Sequence, residues 1–79
     1  MNELPTTTEA IRTELFRKAE TLNLRLLHRF ANVTDHISAR QDRAVIGALE
    51  GTEADIATMR SIMLLARDCF PPPNQKENV

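Results

Sequence analysis

Residues 52–70, TEADIATMRSIMLLARDCF, carry apolar side chains at helical spacing on one side and further apolar atoms elsewhere. Ile56, Met59, Met63, Ala66 and Phe70 follow steps of three and four, which lines one face of an α-helix. Ile62, Leu64 and Leu65 fill the positions around Met63, so for about a turn and a half the helix is apolar nearly all round. A helix of that kind needs burial on several sides, and one short chain covers only one of them. The remaining sides must meet another chain, a second copy or a ligand.

The preceding chain supplies the first neighbour. Leu15, Ala19, Leu22, Leu26, Phe30, Val33 and Ile37 make an apolar stripe at steps of three and four, and Ile11, Phe16 and Leu27 widen it beyond a two-stranded coiled-coil seam. Thr6 with Glu9 matches the capping-box pattern at the start of this helix. Glu14 and Lys18 suit an i, i+4 ion pair on its wet side. The spacing predicts a helix over about 8–38, a turn at about 38–42 and a second helix over about 42–70. Two other arrangements compete for the turn, which holds neither Gly nor Pro. One puts the loop between Gly47 and Gly51, with Thr52 capping the last helix; the other has no turn at all. The unbroken rhythm of Val45, Leu49, Thr52, Ile56, Met59, Met63, Ala66 and Phe70 favours one second helix with both glycines inside it. Two arms of nearly equal length suit an antiparallel hairpin. Residues 1–7 and 71–79 read as tails, the latter begun by Pro71, Pro72 and Pro73.

Composition agrees with an all-α fold. Four prolines sit at positions 5 and 71–73, glycines number two, and aromatic residues are three Phe with no Tyr or Trp, which disfavours a sheet. Seventy-nine residues make one domain at most, of a size that rarely builds a sufficient core without staples. A single cysteine, Cys69, leaves no internal disulfide and is expected to pack; it fits a reducing compartment. The first residues lack a basic segment followed by an apolar run, and no apolar run approaches the roughly 20 residues of a membrane span. An intracellular protein, nuclear or cytoplasmic, is expected.

Chemistry-bearing residues are sparse. His28 and His36 stand eight apart, which rotates them by about 80° around a helix, and no carboxylate completes a metal set at i+3 or i+4 from His28. Neither Cys69 nor any serine is placed by sequence beside a base, and no Gly-rich phosphate loop occurs. No catalytic residue, metal or cofactor is expected. Asn32-Val33-Thr34 spells a glycosylation sequon inside a predicted helix, and Lys76-Glu77-Asn78 spells the KEN degron of cell-cycle proteins. Both are short enough to arise by coincidence.

Charge divides the arms. From Arg17 to Arg43 six Lys or Arg stand against three acids, whereas Ala44 to Phe70 has two against four. Arg25, Arg29, Arg40 and Arg43 lie beside the apolar stripe. They suit contact with an acidic partner or with nucleic-acid phosphate, or attraction between the two arms. With a net charge of −1 and no interleaved aromatics, structure or protein contact is favoured.

The run Leu26-Leu27-His28-Arg29-Phe30-Ala31-Asn32, followed by Glu53 and the apolar run from Ile56 to Leu65 with Arg60 and Arg67, resembles the Surfeit-locus-five type subunit of the Mediator head module. That family has an L-L-x-R-F-x-N-like helix end and packs with sister subunits into a helical bundle. Small helical subunits of the kinetochore DASH ring are similar in build. The resemblance spans roughly Glu9 to Phe70 and implies a nuclear scaffold subunit with no catalytic residue.

The expected function is a non-catalytic subunit of a helical assembly in transcription or chromosome segregation. Its partner-binding residues would be Phe16, Leu27, Phe30, Ile56, Met59, Ile62, Met63, Leu64, Leu65 and Phe70, and its partners other helical subunits rather than nucleic acid or membrane. The same residues also suit a homodimeric four-helix bundle whose basic arm contacts nucleic acid.

Overall fold

The computed structural model describes residues 7–72, all helix, turn and irregular chain without a strand. Helix α1 runs Thr7–Ser38, α2 Asp42–Leu49 and α3 Thr52–Cys69. At 1.5 Å per residue α1 is about 48 Å long, and α3 and α2 lie one after the other along it. The end of α3 lies at the start of α1: Arg12 reaches the carbonyls of Ala66 and Phe70. Further on, Arg25 meets Asp55 and Arg29 meets Glu50. Partner numbers in these contacts add to 78–82, which fixes one continuous register.

The inner stripe of α1 is narrower and more regular than the apolar letters suggest. Ala19, Leu26 and Val33 are buried, and Arg12, Leu15, Leu22, Arg29 and His36 are half-buried. Those positions alternate steps of three and four without exception, the 3.5-residue period of a coiled-coil seam. Phe30 and Ile37, expected in the stripe, are 42% and 57% exposed. The seam reaches Arg29 and His36 instead, because a strict three-four alternation from Leu26 lands on them. On α3 the same correction applies to Ile56, which is 44% exposed while Asp55 beside it turns inward. Ala66 is buried, and Met59, Ile62, Met63 and Phe70 are half-buried.

Between α1 and α2 the chain turns without glycine. The amide of Arg40 donates to the Ile37 carbonyl (3.0 Å) and that of Gln41 to the His36 carbonyl (2.9 Å), the paired bonds of a Schellman motif. Arg40 occupies the left-handed position, φ +59°, that glycine usually fills.

The second arm is not one helix. Glu50 (φ −63°, ψ 133°) and Gly51 (φ 87°, ψ −16°) form the centre of a type II turn that separates α2 from α3. Such a turn requires positive φ at its third residue, which glycine adopts without a steric penalty. The expectation of an unbroken helix over 42–70 is corrected at this point; Gly47 stays helical, and Gly51 breaks the helix. Thr52 is buried just after the turn, its hydroxyl donating to the Leu49 carbonyl at 2.6 Å. It closes the turn as the first residue of α3, and Gly51 stands at the cap.

Cys69, expected to pack, is exposed at the end of α3. Glu14 pairs with Arg17, three residues on, rather than with Lys18. Thr6, the proline-led segment beyond Pro72 and Lys76-Glu77-Asn78 lie outside the described residues. Among those described, no helix is long and apolar enough to cross a membrane.

Candidate partner-binding face

The seam is thin because its buried side chains are small. Ala19 and Ala66 take two of the buried positions, and among the described residues no large side chain is wholly enclosed. With a radius of gyration of 17.6 Å, against about 12 Å for a compact chain of this length, the molecule is elongated. Its principal extents are 58, 30 and 18 Å.

Apolar side chains left over by the seam form a second face. On α1, Phe16, Leu27, Phe30 and Ile37 alternate with Glu20, Asn23 and Thr34 at steps of three and four, a stripe displaced from the buried one. Its start forms one wall of an open groove of about 790 Å³ between α1 and α3. Phe16, Ala19, Ile56, Met59 and Met63 supply its apolar lining, and Arg17, Glu20 and Arg60 line it too. At the far end Ile37 shares a smaller hollow with Val45 and Ile46 of α2. Leu64 and Leu65 are 37% and 43% exposed elsewhere on α3, and Leu24 is 61% exposed on α1.

The sequence-derived partner residues therefore separate into two sets. Met59, Ile62, Met63 and Phe70 are half-buried within the chain, so part of their surface already serves the α1–α3 contact. Phe16, Leu27, Phe30, Ile56, Leu64 and Leu65 stay at least 37% exposed. Leu24, Ile46 and Leu49 belong with this outer set and were not singled out by sequence. Each has an apolar neighbour three residues away on its own helix, Leu27 for Leu24 and Leu49 for Ile46, a spacing by which the sequence could have found them.

The arginines are largely engaged inside the chain. Arg25 grips Asp55 with Nε donating to Oδ2 (3.1 Å) and Nη2 to Oδ1 (3.0 Å). That hydrogen bonding, together with the positive charges of Arg25 and Arg29, holds the Asp55 carboxyl below the usual carboxylate range. Arg29 donates to the Glu50 carbonyl, which the type II turn leaves facing outward from the helix ladder. Arg12, which sequence reading passed over, donates to the Ala66 carbonyl (3.2 Å) and the Phe70 carbonyl (3.0 Å). Its guanidinium also lies over the Phe16 ring, 4.9 Å from the centroid. A cation at the last carbonyls of α3 satisfies acceptors that the helix cannot and complements its dipole. Of the four arginines expected to meet an acidic partner, Arg40 and Arg43 are left outside these contacts, with Arg40 holding the first turn.

His28 is exposed, and the Nδ1–H of His36 donates to Gln41 Oε1 at 3.0 Å, within the turn. No three His, Cys, Asp or Glu converge among the described residues. Compared with models of known protein families, with curated proteins and with solved structures, the chain finds no match.

Proposed function

We propose that the chain is a non-catalytic antiparallel helical hairpin that completes its core against the helices of other subunits, as one part of a multi-helix bundle. The observation that carries this reading is an imbalance. Eleven large apolar residues are exposed, whereas Leu26 and Val33 are the only large ones buried among the described residues. Isolated exposed leucines are ordinary, but a stripe along α1 joined to an apolar groove is a contiguous patch of the kind that marks a protein contact. At roughly half exposure each residue forgoes about 1 kcal/mol of burial, on the order of 10 kcal/mol together. A whole domain is stable by about 5–15 kcal/mol, so the missing burial is comparable to everything that holds a domain folded.

The internal engagement of Arg25 and Arg29 and the net charge of −1 support a protein partner over nucleic acid. A nuclear scaffold subunit of the Mediator-head type, which the run from Leu26 to Asn32 resembles, is the most specific form of this proposal.

The test is thermal unfolding of the purified chain, followed by circular dichroism over a hundredfold range of concentration. A broad, weakly cooperative transition of the dilute chain is the expected outcome, sharpening with concentration where a second copy completes the core. A sharp, concentration-independent transition of a monomer would overturn the reading, because it would mean the hairpin is complete alone.

A further inference from the structure

We infer that the groove between α1 and α3 is filled by the same groove of a second copy of this chain, forming a two-fold four-helix bundle. The inference rests on the incomplete-core reading above and names the first partner.

The support is charge placed at one level. Glu20 lines the groove from α1 and Arg60 lines it from α3. Neither makes a hydrogen bond or ion pair with another described residue. Their numbers add to 80, the register set independently by Arg25 with Asp55, so they stand at the same height along the hairpin. A two-fold axis parallel to the helices, running in the plane between two grooves, lays α1 of one copy over α3 of the other at unchanged height. That operation brings Glu20 of each copy over Arg60 of the other, twice. A two-fold axis perpendicular to the helices would instead set α1 against α1, with no such match.

Apolar contents agree with that symmetry. Phe16 stands at the level of Met63 and Leu64, so each copy would seat its Phe16 on the methionine-bearing wall of its partner. Methionine adapts to an aromatic ring and makes favourable sulfur contacts with it. Isologous two-fold contacts, in which one patch meets itself, are the commonest way for soluble chains to pair. An incoming helix of another protein would need its own acid and base placed to answer Arg60 and Glu20; a second copy has them by construction.

Charge reversal tests the arrangement without disturbing the seam, since both residues are exposed. Glu20→Arg and Arg60→Glu are made separately in the full chain, and mass is followed by light scattering with circular dichroism on the same samples. Wild type should run at twice 8.9 kDa. Each single variant should associate at least tenfold more weakly with itself, because like charges then face each other at both sites. An equimolar mixture of the two variants should dimerise within about threefold of wild type, since each reversed charge meets its complement on the other chain. A salt bridge formed inside one chain could not produce that rescue.

Dimers that persist in both variants alone, or a mixture no tighter than either variant, would overturn the groove-to-groove pairing. A wild-type monomer with a broad unfolding transition would overturn the second copy while leaving the incomplete-core reading standing. A wild-type monomer that unfolds sharply would overturn both.

Discussion

Asp55 sits one position from the exposed Ile56, yet it turns toward α1, where Arg25 holds both of its carboxylate oxygens at 3.0–3.1 Å. The pair crosses from one arm to the other and fixes the height of α3 against α1. A bidentate arginine–carboxylate contact carries more orientation than a single ion pair.

The carboxyl of Asp55 is held below its usual range by the hydrogen bonds from Arg25. A carboxyl whose pKa is lower in the folded chain contributes stability that is complete above its unfolded value, about 3.9. That contribution is lost as pH falls through the folded value. Wild type should therefore lose stability on acidification below about pH 4, and Asp55→Asn should be less stable at pH 7 with a flatter acid limb. Urea unfolding at pH 7 and pH 3 measures both, and parallel acid limbs would remove Arg25–Asp55 as their cause. A double-mutant cycle with Arg25→Ala should give a coupling that shrinks with added salt.

Arg12 offers a second cross-arm device of a different kind. It donates to two carbonyls at the end of α3 and stacks on Phe16, all from a half-buried position. Hydrogen bonds from charged groups contribute about 1.5–3 kcal/mol, of which an exposed helix end retains the lower part. Arg12→Ala should cost about 1–2 kcal/mol and fray the last turn of α3 before the rest. Arg12→Lys should recover less than half, because an ammonium lacks the planar fork and the stacking surface. Amide exchange over residues 66–70 reads the fraying; uniform loss of protection along α3 would argue against a capping role.

The two glycines should respond in opposite directions to the same change. Gly47 is helical with no atom within 4 Å of a Cβ built on it, so Gly47→Ala should stabilise by up to about 1 kcal/mol. Gly51 holds φ +87° at the type II turn, and Gly51→Ala should destabilise by about 1 kcal/mol or more. Arg40 reverses the logic, since a side chain occupies a left-handed position suited to glycine. Arg40→Gly should gain roughly 0.5–1 kcal/mol if its side chain has no other task. Chemical denaturation of the three variants checks the signs together.

How much of this was legible in the letters follows from what periodicity measures. All-helical character was readable, because apolar spacing and the placement of every proline at positions 5 and 71–73 decide it. The choice between two stripes on α1 was not. Leu26 followed by Arg29 and Leu26 followed by Phe30 are both helical steps, and hydropathy prefers phenylalanine. The structure takes arginine because its charge reaches the Glu50 carbonyl across the arms, a partner that no local pattern announces. Arg12 escaped for the same reason, its acceptors lying 54 and 58 residues away. Gly51 differed from Gly47 only through a backbone angle. The outer face was partly legible as surplus apolar residues, whereas the level match of Glu20 with Arg60 required the register.

Leu26 and Leu27, neighbours in sequence, separate the two faces most directly. Leu26 is 4% exposed in the seam and Leu27 is 58% exposed on the outer stripe. Leu26→Ala removes buried methyl groups between α1 and α3 and should cost about 2–3 kcal/mol, toward the lower end for leucine because a thin core collapses easily around the gap. Leu27→Ala should change the stability of the dilute, unassociated chain by no more than about 0.5 kcal/mol, as surface substitutions do. If the outer stripe completes a bundle, Leu27→Ala should nevertheless weaken association, and pairing it with Phe30→Ala should weaken it further. Unfolding at low and high concentration separates the two effects: Leu26→Ala lowers stability at both, whereas Leu27→Ala does so only where the chain is associated. Equal losses for Leu27→Ala at every concentration would place that residue in the core of the single chain and leave the outer face without a role in assembly.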